Sequence, residues 1–534
     1  MSTEVDTLTH TFGMATQQQV VNDIKSSLNE EQCKAFEECI NGVGSVLCTG
    51  QGGTGKSWLL ECVVRYFREF PLSDSKLVAV TASTGVAAFL IKGMTLHRFA
   101  GTGIEETNLS MMIAKASRGQ SRLYWRDTGI LIVDEVSMVS ATFFENLSLL
   151  AKSIRGSQLP FGGIRLIMFG DFLQLPPVSK VDHSTVRIFH TDAWQEMCPK
   201  VIELKSIVRQ TDAQFIKVLS EIRYGICSDE TEAYIRSLDR DLPHEDGVDP
   251  IRLFAKKDPT NSYNASMLQS LDNPNDPQTK SMIYKSIDTG DKTLLRLCPA
   301  PQTLELKKGA QVMVTRNIAA GVVNGSIGTI MDFDSTTSAF LRKPRVRLMM
   351  PDGNFSEILV NRVSWETIAP DGKVMASRVQ FPLILAWAVT MHKSQGQTLP
   401  KAFVDMSGVF ETGQAYVALS RCSDPSRLRV SNFRKSHVMA AQSCVRFYHD
   451  LSAESDTSDL PSYTQDTRPS IPEDNPPNYL ESGATEVASA TEQPWDSTVA
   501  VPPLLHEQAL DTQIMLGNLS LQENSNYSQS DLES

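Results

Sequence analysis

The sequence predicts an α/β protein: two parallel-sheet P-loop-type domains, a small β-barrel inserted in the second, and a disordered acidic C-terminal tail. Three observations predict it. Continuous aliphatic runs, Val46-Leu47-Cys48, Ile130-Leu131-Ile132-Val133 and Leu166-Ile167-Met168-Phe169, alternate with helical stripes such as Leu59, Leu60, Val63, Val64 and Phe67. Strands apolar on both faces belong in a parallel sheet covered on two sides. Between Gln311 and Val360, strand-like runs follow one another with only turn chemistry, Asn324-Gly325 and Pro351-Asp352-Gly353, between them, as in a small antiparallel unit. From about Ser452 onward, Ser, Thr, Pro, Gln, Asp and Glu dominate, a composition that cannot bury enough apolar surface to fold.

The expected boundaries follow from these shifts. Residues 1–25 read as a flexible N-terminus and 26–205 as the first domain. Residues 206–334 open the second domain, 335–378 form the inserted barrel, 379–450 complete the domain, and 451–534 are the tail. A span of 534 residues is ample for several cores. The formal charge is −12, but the tail alone carries 15 acidic residues against one basic, Arg468, a net of −14. The remainder sits at +2, so net charge does not exclude a local basic groove for nucleic acid. The nine cysteines show no C-x-x-C pair and read as reduced thiols. No run of 18 apolar residues occurs, and Met1-Ser2-Thr3-Glu4-Val5-Asp6 resembles neither a secretory signal nor a transit peptide. Within the tail, Leu504 to Leu521 holds enough Leu, Ile and Met for a docking segment, set against the plainer reading of scattered apolar residues.

Chemistry concentrates where strands end, which is where parallel sheets bind ligands. Gly50-Gln51-Gly52-Gly53-Thr54-Gly55-Lys56-Ser57 sits between the first aliphatic run and a helical stripe. In that context the glycines bring backbone N–H groups close to phosphate, Lys56 reaches the β- and γ-phosphates, and Ser57 reaches Mg²⁺. Asp134-Glu135 ends a strand. Asp134 would hold Mg²⁺, and Glu135 would orient or deprotonate an attacking water. In Gly170-Asp171-Phe172-Leu173-Gln174, Gln174 would sense the γ-phosphate. Gln32 has two readings: with Asn29 it makes a capping box, or its amide addresses an adenine edge. Arg209 and Arg421 are candidate fingers, although composition alone makes each an ordinary arginine.

The ordered blocks resemble the PIF-type (petite integration frequency) DNA helicases, a RecD-related branch of helicase superfamily one. They are Asp134-Glu135-Val136-Ser137-Met138 with Phe143-Phe144, Leu147, Ala151 and Ile154-Arg155; Thr95 to Gly101; Val208-Arg209-Gln210; Lys308 to Met313; Val323 to Gly328; Met391 to Thr398; and Gln414 to Arg421. The resemblance runs from about Leu28 to Phe433. It implies two RecA-like domains with ATP and Mg²⁺ between them, and single-stranded DNA lying across them. It implies that Gln32 reads adenine, that Arg209 and Arg421 are fingers from the second domain, and that Gln174 couples nucleotide state to motion. Thr84, His97, Phe99, His392 and Ser394 fall in motifs that line the DNA track, with Phe99 offering a stacking face. A small wedge is implied at about 103–122. Translocation 5′ to 3′ follows by resemblance only, as do forked and G-quadruplex substrates, genome upkeep in the nucleus, and a monomeric motor with a protein partner for the tail. A mitochondrial role is the second choice. Competing readings are an RNA translocase on the same engine, a nucleotide-switch adaptor, and a RecD-like nuclease subunit.

Overall fold

The computed structural model describes residues 17–454 apart from 73–75, 103–107, 178–185, 243–247, 273–280, 319–321, 323, 335–341 and 351–353. The expected tail beyond 454, the first five wedge residues and part of the expected barrel span lie outside the described residues.

The first lobe is a six-stranded parallel sheet. Its strands are β1 (Val46–Gly50), β2 (Leu77–Ala82), β3 (Met94–Thr95), β4 (Thr128–Asp134), β5 (Arg165–Phe169) and β6 (Lys200–Leu204). The spatial order is β3-β2-β4-β5-β1-β6. Strand alternation decides which core each side chain joins. Val46, Cys48, Ile130, Ile132, Ile167 and Phe169 pack on one face with the helix Lys56–Glu69. Leu47, Leu131, Val133, Leu166 and Met168 pack on the other with the helix Ala141–Arg155. Both faces are therefore buried, as the unbroken aliphatic runs require.

The N-terminal stretch is more ordered than expected. Residues 17–26 are helical, and Ile24 is buried beside Phe36 and Leu59, with Val20 and Val21 against the same cluster. In the wedge region, the helices Leu109–Ala116 and Gly119–Asp127 bury Met112, Ala116, Tyr124 and Trp125 in the first lobe's core.

The second lobe carries a four-stranded parallel sheet in the order 388–390, 251–254, 402–405, 428–431. Between its first two strands in the chain the path detours through β structure from Met282 to Leu385, wider than the expected 335–378. Those strands form antiparallel sheets of two, three and five strands among the described residues. Tyr284, Leu304, Val312, Ile330, Val346, Phe381 and Leu383 share one core there. Gln311–Val314 and Ile327–Phe333 match strand-like runs read in the sequence but lie outside that span, whereas Met282–Lys285, Ile287–Gly290 and Thr303–Leu306 are short and broken by polar positions. The last described helix, Gln442–Glu454, returns to the first lobe: Cys444 and Tyr448 are buried in that lobe's core. The expectation that 379–450 completes the second domain is corrected for this helix, whose buried side chains join the first lobe's core. Among the described residues no helix is long and apolar enough to cross a membrane.

Candidate nucleotide site between two lobes

The phosphate loop leaves β1 and enters the helix Lys56–Glu69. Its glycines are required by their surroundings. Gly53 (φ +96°) has Arg209 Cβ 2.9 Å from where a side chain would start, and Gly55 (φ +83°) has the Gln32 amide at 2.3 Å, so any larger residue would be both strained and blocked. Gln32 realises its capping box: its backbone N–H donates to Asn29 Oδ1 (2.9 Å), and its Oε1 accepts from the Asn29 N–H (3.1 Å). Its Nε2 simultaneously donates to the Thr54 carbonyl (3.0 Å), which ties the cap to the loop. Thr54 also donates its hydroxyl to the Gln51 carbonyl (2.9 Å).

Lys56 folds back along the loop and donates to the carbonyls of Gly50 and Gln51. Burial pushes its ammonium down to about 8, opposed by the Asp171 and Glu135 carboxylates. Ser57 follows at the start of the same helix. At the end of β4, Asp134 Oδ1 accepts from the Glu135 N–H (2.9 Å). Glu135 adopts φ +51°, a conformation costly for a side-chain-bearing residue and characteristic of functional sites. Burial raises both carboxyls, and the neighbouring Glu135 helps push Asp134 up to about 8. A half-buried acidic pair of this kind suits a cation. Asp134 with the Ser57 hydroxyl are the residues that would hold one; among the described residues no separate cluster of three or more acidic, His or Cys side chains offers another.

The second lobe closes over the loop. Arg421 is 2 % exposed, and its guanidinium lies 3.3 Å from where a side chain on Gly52 would begin. It donates to the Val417 carbonyl (2.8 Å) and to Ser420 Oγ (2.8 Å). Burial, with Arg209 nearby, pushes its pKa down to about 9. Arg209 is partly buried and donates to the Ser420 carbonyl (3.2 Å); its backbone N–H and that of Val208 donate to the Gly53 carbonyl. Burial lowers its pKa as well. Neither arginine faces open solvent. Two neighbouring guanidiniums with depressed pKa values describe a site suited to an anion.

Some residues were missed by sequence reasoning. Gln395 donates to Glu135 Oε2 (2.9 Å) across the lobes, and the Tyr416 hydroxyl accepts from the Gly52 N–H (2.7 Å). Both lie inside blocks already singled out, but nothing local gave either a task. Gln174 is buried and donates to Asp171 Oδ2 (3.2 Å).

Of the expected DNA residues, Phe99 and Ser394 are fully buried, while Thr84, His97 and His392 are half-buried. Phe99 is fully buried and packs on Trp125, with ring centroids 4.7 Å apart. It therefore offers no stacking face, which corrects that expectation. Ser394 is likewise fully buried and donates to the Met391 carbonyl (2.7 Å), so its hydroxyl braces its own turn. Thr84 caps the helix Gly85–Leu90 by accepting from the Ala87 N–H (3.2 Å). His97 stacks on Phe143 at 4.1 Å. His392 sits 3.4 Å from Glu411.

A phosphate loop, a strand-end acidic pair and arginines from a second parallel-sheet lobe define a two-lobed P-loop nucleoside-triphosphatase architecture. The model of the "PIF1-like helicase" family matches residues 27–233, and that of the "DNA helicase Pif1, 2B domain" matches 292–333. The chain is 35 % identical over 463 residues to the ATP-dependent DNA helicase PIF1 of Emericella nidulans, covering 77 % of this chain and 61 % of that one. The crystal structure of the Candida albicans Pif1 helicase superposes with a TM-score of 0.63 at 39 % identity, covering 79 % of this chain and 99 % of that one. A Bacteroides Pif1 helicase in complex with ADP-AlF3 and single-stranded DNA gives 0.54 at 25 % identity, with 80 % and 98 % covered. The chain belongs to the PIF1-like helicase family. It spans about three-fifths of the length of the curated relatives it matches.

Proposed function

We propose that this chain is an ATP-dependent DNA helicase that moves on single-stranded DNA by opening and closing the cleft between its lobes. The observation that carries the reading is the pair of second-lobe arginines, Arg209 and Arg421, held against the phosphate loop of the first lobe. Support comes also from the named activity of the relatives and from the Bacteroides complex with a nucleotide analogue and single-stranded DNA.

The residues divide the work. The loop N–H groups and Lys56 hold the triphosphate, whose charge favours the protonated ammonium that burial disfavours. Glu135, its carboxylate oriented by Gln395, accepts the proton of the attacking water. Arg209 and Arg421 offset charge that develops on the transferred phosphoryl group, an effect worth roughly three to five orders of magnitude in rate. Asp134 and Ser57 would hold Mg²⁺, and the ion would supply charge neutralisation of the phosphates. Because both arginines belong to the second lobe, hydrolysis weakens what holds the lobes together, and cleft motion becomes movement along the strand.

The proposal extends to 5′-to-3′ polarity, to forked and G-quadruplex DNA as substrates, to a monomeric motor in nuclear genome upkeep, and to a protein partner for the acidic tail. The test is strand displacement on partial duplexes bearing a 5′ or a 3′ overhang, with Lys56→Ala alongside. The expected outcome is displacement only from the 5′ overhang, with hydrolysis in the variant reduced a hundredfold or more. Equal displacement without ATP, or full turnover by Lys56→Ala, overturns it.

A further inference from the structure

Below the nucleotide site lies a buried polar cluster with no part in the mechanism above. Asp171, one residue past the strand-end Gly170, has a side chain 0 % exposed, and its partner Arg223 is 3 % exposed. The pairing is bidentate: Arg223 Nε donates to Oδ2 (3.1 Å) and Nη2 to Oδ1 (2.9 Å). The Leu173 N–H and the Gln174 amide also donate to Asp171. A fifth donor comes from the last helix: the Tyr448 hydroxyl, 3.1 Å from Oδ1. That hydroxyl also lies 2.5 Å from Thr49 Oγ1, accepts from the Phe172 N–H (3.2 Å), and belongs to a ring under the Arg223 guanidinium at 4.5 Å.

Three parts of the chain therefore meet at one carboxylate. Asp171 belongs to the first lobe. Arg223 ends the helix Ala213–Arg223, whose Phe215, Val218 and Ile222 are core residues of the second lobe. Tyr448 is brought back to the first lobe by the Gln442–Glu454 helix, where Phe447 stacks on Phe189 at 4.6 Å. Arg223 holds the Asp171 carboxyl below the usual range despite burial, and Asp171 raises Arg223 in return. Separating them would strand a buried charge. The contact is thus a fixed point between the lobes.

We propose that Tyr448 is a positioning residue for ATP hydrolysis. Its hydroxyl links Thr49, the residue before Gly50 of the phosphate loop, to Asp171, and through Asp171 to Gln174. One side chain from beyond the last sequence block thereby sets the relative position of the phosphate loop and the Gln174 turn, at the point where the second lobe is anchored. The inference rests on the ATPase reading for its rate effect, but not for its geometry.

The test is Tyr448→Phe in the full chain, which keeps the ring and removes only the hydroxyl. Three quantities are read: DNA-stimulated kcat with the KM for ATP, the thermal unfolding midpoint, and backbone hydrogen exchange across 170–174. The expected result is a roughly five- to tenfold fall in kcat, with KM unchanged within about twofold and faster exchange in 170–174 while the Gln442–Glu454 helix stays protected. A wild-type kcat, or a loss of rate that moves together with KM and the unfolding midpoint, overturns the proposal in favour of a plain structural brace. If the wild-type protein hydrolyses no ATP, it is the ATPase reading that fails; unchanged exchange at 170–174 then still overturns the positioning role.

Discussion

Gln32 shows how much a single residue can hide. The capping box with Asn29 forms, and the free end of the same amide holds Thr54 in the phosphate loop. Of the two readings open at the sequence level, the cap is the one the structure shows, with both ends of the amide engaged. Phe99 shows the opposite. Its motif position suggested a DNA face, but in the short helix Leu96–Ala100 it points into the core against Trp125. A motif gives residue types; which face of a five-residue turn is buried depends on what packs above it. His97, two residues earlier, is held neutral: burial against Phe143 pushes its imidazole down to about 4 from an ordinary 6.5. Because the folded pKa is depressed, the unfolded chain takes up the proton first as pH falls. Stability from this group is fully present above about pH 6.5 and is lost progressively toward pH 4. Urea unfolding at pH 7 and pH 4.5 should show a larger loss for the wild type than for His97→Asn; equal losses would contradict the burial account.

At the scale of elements, β1, β4 and β5 were legible because both-face burial leaves unbroken aliphatic runs. The loop following β1 was legible because phosphate binding needs glycine at fixed positions. The wider β insertion was less so, since short antiparallel strands carry weak patterns. The return of the Gln442–Glu454 helix to the first lobe had no local signature at all: an amphipathic helix says that it packs, not on which lobe. The wedge-region helix Gly119–Asp127 is anchored by Trp125, which is fully buried and donates its indole N–H to the Ala100 carbonyl (3.3 Å). Arg155 binds the carbonyls of Trp125 (2.7 Å), Arg126 (2.8 Å) and Thr128 (3.0 Å) at that helix's end. Trp125→Ala should cost about 3–5 kcal/mol in urea unfolding; a loss below about 1 kcal/mol would show that the helix pair contributes little to the lobe.

For the whole molecule, the decisive contacts join residues far apart in the chain: Gln395 to Glu135, Tyr416 to Gly52 and Arg209 to Ser420 across more than two hundred positions, and Arg223 to Asp171 across 52. No spacing rule connects such pairs, and for that reason the candidate site was legible lobe by lobe from the residues, while its closure by Arg209 and Arg421 was legible only through the family resemblance. The central claim concerns that closure: a triphosphate gripped by one lobe is hydrolysed only with arginines supplied by the other. Arg421→Lys tests it most directly, because lysine keeps a charge but loses the planar fork. With single-stranded DNA saturating, the account predicts single-turnover ATP hydrolysis slowed about a thousandfold or more, with ATP affinity within a few-fold of wild type. Hydrolysis at the wild-type rate in that variant would contradict it.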